Sequence, residues 1–399
     1  MKKNKYLNGI LPMLLINFSI GAVYCWTLFK EDIISYTGFD KSVVEWCFSL
    51  AIFFLGMSAA IGGKIVEKHL KKSTLITFVA FTFGWILTGF GIQFKIPLVT
   101  ILGFGVFQGI GLGLGYIIPV KTLMVWMKKN IGFAAGLSIT SFALTGLILN
   151  PMIAVLLEHL PIFGVFYLLA GIFGVCIFIS YLLIYRPETK ETQALPHETL
   201  SIKKVVFSKK FVLLWLLFFI NIACGLALVS QEKQIYRILG IDSDVLIVLF
   251  CNISVLFNLS GRMSTASLQD KLRQKHIPYY FMAILSLLVC FTAFFFSKQL
   301  GVTLALIWVV NFCFGCGFSC LPGILHQHYG IKQLTTIQGL TLSAWAVAGL
   351  VGNQFSAYII AHYNLSTLYI FLGIFYGIEL LILFIWAKTS FKNIKESFV

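Results

Sequence analysis

The chain has 399 residues, of which 59% are hydrophobic and only 11% are charged. Soluble domains carry about 25% charged residues, so this composition excludes an ordinary soluble domain and indicates a polytopic membrane protein. The net charge of +15 would suit nucleic acid, but the charged residues fall almost wholly in short segments between apolar runs, which argues against that partner.

Apolar runs of roughly 20 residues recur twelve times and predict twelve membrane-spanning helices. They lie near 7–29, 42–65, 73–93, 97–120, 132–157, 162–185, 211–231, 244–268, 277–297, 300–323, 334–361 and 365–387. With the first five residues in the cytoplasm, 22 of the 30 Lys and Arg residues lie on the cytoplasmic side. This bias predicts a multi-pass protein of the cell (inner) membrane with both termini in the cytoplasm.

All nine cysteines lie inside apolar runs and give no disulfide framework. Cys313, Cys316 and Cys320 share one helical face, but no histidine or carboxylate lies beside them, so we interpret them as packing residues and predict no metal site. His159 and His362 stand alone, without the cluster of histidine and acid that a membrane-bound enzyme would need. We therefore predict neither a cofactor nor an enzymatic activity.

The loop after the second run places Glu67 and Lys68 beside further lysines, four residues after Gly63. This arrangement resembles the cytoplasmic loop motif of the major facilitator superfamily, and it returns in the second half as Asp270 and Lys271. An acid at a helix end beside cations can hold one conformation by charge pairing, so we predict a conformational latch at these four residues. The alternative is a solvated, positively charged loop.

The segment 187–210 is the longest polar stretch and divides the chain into halves 1–186 and 211–399 with six runs each. A constant offset of 203 residues relates Glu67 to Asp270, Pro119 to Pro322, Gly136 to Gly339, Gly146 to Gly349, and Asn150 to Asn353. These matches indicate a duplication. Two parallel six-helix repeats are typical of major facilitator transporters, whose binding site lies between the halves. We therefore predict that all-α fold.

One arginine, Arg262, lies within the eighth run. Ser254, Asn258, Arg262, Thr265 and Gln269 follow at steps of three or four residues and so share one helix face. A guanidinium inside a bilayer costs roughly 2.5–3.5 kcal/mol and normally faces the bundle interior or a wet cavity. The alternative is that Arg262 extends to the membrane surface and binds nothing.

Three segments resemble the oxalate/formate antiporter family: Gly21-Ala-Val-Tyr24-Cys-Trp26, Gly113-Leu-Gly115-Tyr116-Ile-Ile-Pro119 and Asn258-Leu-Ser-Gly261-Arg262. The resemblance implies that Arg262 receives a substrate carboxylate and that Tyr24 and Tyr116 hydrogen-bond it. It also implies aromatic walls at Phe314 and Phe318. Trp26 and Asn258 lie in the same segments and join the predicted substrate contacts.

The chain departs from that family at Trp345, where the oxalate exchanger has a second cation, a lysine. One cation suits one negative charge, since a dianion needs two partners in a low-dielectric site. We therefore predict a monomeric secondary transporter of a monocarboxylate of the formate, pyruvate or lactate type, driven by a counter-anion or a proton. For Tyr24, Tyr116, Trp26 and Trp345, packing within the bundle is the alternative.

Two other functions remain open at this level. A drug exporter would need an acid that faces the cavity in the first half, where only Glu45 near a span end is available. A non-transporting carboxylate sensor would need a soluble signalling extension. We interpret Lys121 as an anchor at the end of the fourth run, and Glu379 as either a proton carrier or an acid on a peripheral helix.

Overall fold

The structure is a computed structural model that describes residues 4–127, 131–186 and 202–396. The described residues form 12 helices that are long and apolar enough to cross a membrane, as predicted. They are Tyr6–Thr37, Lys41–Gly63, Leu70–Gln93, Pro97–Leu123, Leu137–His159, Ile162–Leu183, Lys209–Val229, Asp244–Gln269, Ile277–Phe295, Leu300–Tyr329, Ile337–His362 and Leu365–Lys388. Because their number is even, the first span begins and the last span ends on the same face, which we call the terminal face; the other is the opposite face.

The first span extends eight residues beyond its predicted end at 29. Hydropathy ended the run there because Lys30 and two acids follow. In the structure the Lys30 ammonium lies 2.8 and 2.7 Å from the two carboxylate oxygens of Glu45. Both side chains are buried. Since the pair is neutral as a unit, the helix continues inside the bundle to Thr37.

Helices continue past the predicted runs at other points too. The second span belongs to a helix that runs from Lys41 to Lys68, and the helix Leu300–Thr341 carries the tenth span towards the eleventh. Short helices Ile202–Val206 and Glu232–Ile238 flank the seventh span. Inside lipid a helix satisfies its own backbone groups, which is why apolar runs of this length become helices.

The two six-helix halves meet along two helix pairs: the fifth with the eighth span, and the second with the eleventh. A Cβ atom added to Gly146 would lie 3.0 Å from Cγ2 of Val255, and one added to Gly349 would lie 2.3 Å from Cγ2 of Ile52. Glycine therefore permits close helix approach at both places. Gly349 lies 203 residues after Gly146, and Val255 lies 203 residues after Ile52, so the second contact is the repeat of the first.

Hydrogen bonds repeat this symmetry one turn further along. The Asn150 side-chain amide donates to Oδ1 of Asn252 at 2.9 Å, and the Asn353 amide donates to Oγ of Ser49 at 2.7 Å. These residues again stand 203 apart. The sequence duplication therefore appears in the structure as a two-fold relation between the helix pairs that join the halves.

Candidate functional site

The Arg262 side chain is 2% exposed and points into the interface between the halves. Its Nε donates to Oδ1 of Asn258 at 2.8 Å, and its Nη1 donates across the interface to the backbone oxygen of Ile139 at 2.9 Å. The guanidinium carbon lies 4.8 Å from the centre of the Phe318 ring, a cation–π distance. The guanidinium therefore faces the bundle interior, and the alternative of an arginine at the membrane surface is wrong.

Within the described residues, Arg262 takes part in no ion pair. The acceptors of its hydrogen bonds, an amide side chain and a backbone carbonyl, are both neutral. A buried cation without a counter-charge is costly. An anion that reached this guanidinium would therefore gain a partner that the protein itself does not supply.

Five aromatic rings cluster at the same level. The ring of Tyr116 lies 5.4 Å from Phe142 and 5.3 Å from Trp345, while Phe318 lies 4.7 Å from Trp345 and Tyr24 lies 5.6 Å from Phe142. All four contacts are edge-to-face, the arrangement that ring quadrupoles favour. We call these five residues the aromatic cluster. The sequence predicted four of them; Phe142, in the fifth span, was missed.

Two polar atoms in the aromatic cluster lack partners. The Tyr24 hydroxyl and the Trp345 indole N–H are buried, and neither makes a hydrogen bond. Both donors belong to the aromatic cluster that contains Phe318, the ring against the Arg262 guanidinium, so both are available to an anion that binds there. A carboxylate has two oxygens that accept only, and it matches this set of donors.

The backbone around Tyr24 is tightened locally. Residues Gly21–Cys25 form a 3₁₀ segment between the α-helices Leu11–Ile20 and Trp26–Thr37. A Cβ atom on Gly21 would lie 2.4 Å from the backbone oxygen of Phe142, so the first and fifth spans touch here only because the residue is glycine. Such mid-helix 3₁₀ segments often mark hinges.

A central cavity of about 50 Å³ lies between the halves. It is lined by residues of the first, fifth, seventh, eighth and tenth spans and of the short helix that follows the seventh; Tyr24, Asn258 and Phe314 are the predicted residues among them. A water molecule needs roughly 10–15 Å³ of such space, so the cavity holds roughly three to five waters. This is the scale of a small organic anion.

The described residues that line the central cavity include one carboxyl group, that of Glu232. The side chain is buried, and the Asn311 amide donates to its Oε1 at 2.9 Å. Burial raises the pKa of Glu232 to about 8, against the opposing effect of its hydrogen bonds. Sequence analysis missed this residue because the seventh run was predicted to end at 231. The short helix Glu232–Ile238 folds the next residue back into the bundle.

Trp26 does not join the site. Its indole N–H donates to the backbone oxygen of Val44 at 3.1 Å, and its ring lies 3.9 Å from that of Phe104 and 6.3 Å from that of Phe166. It is fully buried within the first half. The prediction of a substrate contact at Trp26 is therefore corrected: the residue packs helices of one half together.

The predicted latch stays a prediction. The side chains of Glu67 and Asp270 lie outside the described residues, and those of Lys68 and Lys271 are exposed. The predicted linker falls mostly in 187–201, which also lies outside the described part of the chain.

Lys121 and Glu379 take positions that the sequence left open. The Lys121 ammonium donates to the backbone oxygen of Gly63 at 2.8 Å and lines a crevice of about 30 Å³ between the second, fourth and eleventh spans, so it is not a surface anchor. Tyr116 lines the same crevice. Glu379 is buried in the second half, and neither of its carboxyl oxygens has a hydrogen-bond partner. It does not line the central cavity.

Polar contacts join the halves at the opposite face. The amide of Gln231 donates to Oε2 of Glu45 at 3.2 Å, and the Lys233 ammonium lies 3.1 Å from Oε2 of Glu31. The Lys30 ammonium, already paired with Glu45, also donates to the backbone oxygen of Ser230. These bonds close the central cavity towards the opposite face. They also occupy Glu45, the acid that a drug exporter would present.

The aromatic cluster separates two spaces between the halves. Tyr24 lines the central cavity, while Tyr116 lines the crevice that lies nearer the terminal face. Arg262 is within electrostatic range of both phenols. A ligand bound at its guanidinium would therefore sit at the boundary between the cavity and the crevice.

Twelve spans in two duplicated halves, with a cavity between the halves, are the architecture of a membrane transporter of the major facilitator type. The chain belongs to the Major Facilitator Superfamily, whose sequence profile matches residues 10–353. Members of this family are transporters, and the prediction that the chain is no enzyme is confirmed on that ground.

Two curated relatives match most of the chain. The oxalate:formate antiporter of Oxalobacter formigenes is 23% identical over 376 residues, which cover 93% of this chain and 88% of the relative. The uncharacterized MFS-type transporter YhjX of Escherichia coli is 22% identical over 349 residues, covering 86% and 85%. The resemblance to the oxalate/formate antiporter family, first seen in three segments, thus extends along the chain.

Among solved structures, the fold is similar to the proton:xylose symporter XylE bound to 6-bromo-6-deoxy-D-glucose. The TM-score is 0.69 with 14% sequence identity, over 94% of this chain and 95% of that one. At this identity the likeness concerns the fold alone. It confirms the predicted major facilitator architecture.

Proposed function

We propose that the protein carries small monocarboxylates across the membrane by alternating access, with the carboxylate bound at Arg262. The observation that carries this proposal is the buried guanidinium without a counter-charge, flanked by the unpartnered donors of Tyr24 and Trp345. The named activity of the Oxalobacter formigenes relative, oxalate:formate antiport, supports the same class of substrate.

A single negative charge fits this site better than two. Among the described residues that line the central cavity, Glu232 is the one acid and there is no lysine or arginine, and Trp345 has an N–H donor in place of a second cation. A dianion would bring two negative charges beside that acid with one guanidinium to balance them. The cavity volume of about 50 Å³ also favours a compact ligand.

The proposed site belongs to both halves. Arg262 and Trp345 come from the second half, whereas Tyr24 and Tyr116 come from the first. A bound carboxylate would bridge the halves, so it interacts differently with states in which they are tilted apart. With both termini in the cytoplasm, as the positive charges predict, the closed opposite face is the outer one. A carboxylate would then leave through the crevice beside Tyr116.

Counterflow in proteoliposomes tests the substrate class. Vesicles loaded with unlabelled formate, acetate, lactate or pyruvate should take up the same labelled compound, and oxalate and succinate should compete at least tenfold less well. Exchange of dicarboxylates with no exchange of monocarboxylates would contradict the proposed specificity. Transport of neutral sugars alone would contradict the proposed function.

Replacing Tyr24 with phenylalanine removes one donor and leaves the ring in the aromatic cluster. Since a hydrogen bond to a charged group contributes about 1.5–3 kcal/mol, we expect carboxylate affinity to fall about 10- to 100-fold. The measurement is the half-saturating concentration for counterflow. Tyr376→Phe is the matched control, because its hydroxyl is also buried and unpartnered but does not line the central cavity. Equal effects of the two substitutions would contradict the assigned contact.

A further inference from the structure

The acid Glu232 and the cation Arg262 are joined through two asparagines. Arg262 donates to Oδ1 of Asn258, whose amide donates to the backbone oxygen of Asn311 at 3.1 Å. The amide of Asn311 then donates to Oε1 of Glu232 at 2.9 Å. Glu232, Asn258 and Asn311 all line the central cavity. The carboxyl group therefore lies on the cavity, and the guanidinium is hydrogen-bonded to Asn258 in the same lining.

Among the described residues, no cation pairs with Glu232. On its own helix, the Lys233 ammonium turns to Glu31 at 3.1 Å and Asp32 at 3.8 Å, and Tyr236 is an uncharged neighbour. From the first span, Tyr24 lines the cavity and Lys30 is held by Glu45.

The eighth and tenth spans present neutral groups to Glu232. The eighth presents the thiol of Cys251 and the hydroxyl of Ser254, and the tenth presents the amide of Asn311. Since these neighbours are neutral, the protonation of the Glu232 carboxyl group depends on whether a charged ligand is bound near it.

Charge balance in this cavity links an anion to a proton. Arg262 is the cation to which the carboxylate binds, and Glu232 is the acid that lines the neighbouring cavity. When a carboxylate binds to the guanidinium, an ionised Glu232 leaves one uncompensated negative charge in a low-dielectric space. A proton on Glu232 restores neutrality, so anion binding favours protonation, and protonation strengthens anion binding by the same factor.

We propose that Glu232 is the proton-binding residue of this transporter and carries one proton while a carboxylate is bound to Arg262. The two then cross together: the proton comes from water on the side to which the cavity is open and returns to water on the other side. No bond of the carboxylate is broken. This inference rests on the proposed carboxylate transport and adds the coupled ion.

The pKa of about 8 that burial gives Glu232 places proton binding and release close to neutral pH. Below this pKa the Glu232 side chain is protonated, and the carboxylate binds with its full affinity. Above this pKa Glu232 is ionised in the empty protein, so the carboxylate must bind together with a proton. Because the proton concentration falls as the pH rises, the apparent affinity for the carboxylate falls as well.

The experiment compares wild type, Glu232→Gln and Glu379→Gln with formate and lactate as probes. For wild type we expect the apparent dissociation constant to rise about 30-fold from pH 7 to pH 9.5. An inward proton gradient should also drive uptake into vesicles that contain no carboxylate. In Glu232→Gln both the pH dependence and the gradient-driven uptake should disappear, whatever its absolute rate. Glu379→Gln removes a buried acid outside the cavity and should keep both.

A Glu232→Gln protein with the wild-type pH dependence would overturn the proposal. If that variant does not fold, proton uptake is measured on purified wild type with a pH indicator dye. Because about three quarters of Glu232 is ionised in the empty protein at pH 8.5, about 0.8 proton per bound carboxylate is expected, and none overturns the inference. Carboxylate exchange that is independent of pH would refute the proton role and leave the proposed function intact. Absence of any carboxylate exchange by wild type would refute both.

Discussion

Replacing Arg262 with glutamine should slow carboxylate counterflow at least about thirtyfold, since losing one partner of a buried charge pair costs about 2–5 kcal/mol. Glutamine retains a donor for Asn258 but brings no charge to the anion. The initial rate in proteoliposomes, at equal amounts of inserted protein, measures the effect. Counterflow by this variant at the wild-type rate would contradict the proposal that Arg262 binds the carboxylate.

The same substitution should increase the stability of the empty protein, although it reduces transport. Without ligand, Arg262 is a buried cation with neutral partners, so Arg262→Gln should raise the melting temperature of the empty protein. Added formate or lactate should stabilise wild type, because a ligand that binds only the folded state shifts unfolding, and should not stabilise the variant. Arg273→Gln, at an exposed arginine, is the matched control and should change neither property.

The sequence predicted most of the fold for a simple physical reason. In a bilayer every backbone group must bond within its own segment, so a long apolar run has one structural solution. The span ends were less certain, since hydropathy treats each charge alone. Lys30 counted as a loop residue, although its pairing with Glu45 keeps the helix inside the bundle.

The site was predicted where a polar group interrupts an apolar background. Arg262 and Asn258 stand out on the eighth span, and the structure brings them together with Tyr24, Tyr116 and Trp345. Phe142 gave no such signal, because a phenylalanine in an apolar run looks the same whether it packs against lipid, against its own half or against the site. Glu232 was missed because a residue beyond a run is interpreted as solvated.

Trp26 shows how a motif can mislead. Tyr24 and Trp26 stand two positions apart, and residues so spaced point about 200° apart around a helix. One of them can face the central cavity only if the other faces its own half, and the structure places Tyr24 towards the cavity. The spacing alone therefore excluded a shared role.

Removing the Lys30 charge should both destabilise the protein and open its opposite face. Lys30→Met leaves the buried Glu45 carboxylate without its cation, and breaking a buried ion pair in this way costs about 3–5 kcal/mol. Because Lys30 also binds Ser230 in the other half, the closed state loses a link between halves. Thermal unfolding of the purified protein measures the first effect.

The double variant Lys30→Met/Glu45→Gln separates these two effects. It leaves no uncompensated charge, so most of the lost stability should return, and a double variant as unstable as Lys30→Met would contradict this account. The link to Ser230 stays broken, which shifts the population towards states open at that face. Cys251, which lines the central cavity, should then react about tenfold faster with a membrane-impermeant maleimide, while Cys290, buried outside it, should not. Unchanged labelling of Cys251 would mean that the Lys30 contacts do not hold the two halves together.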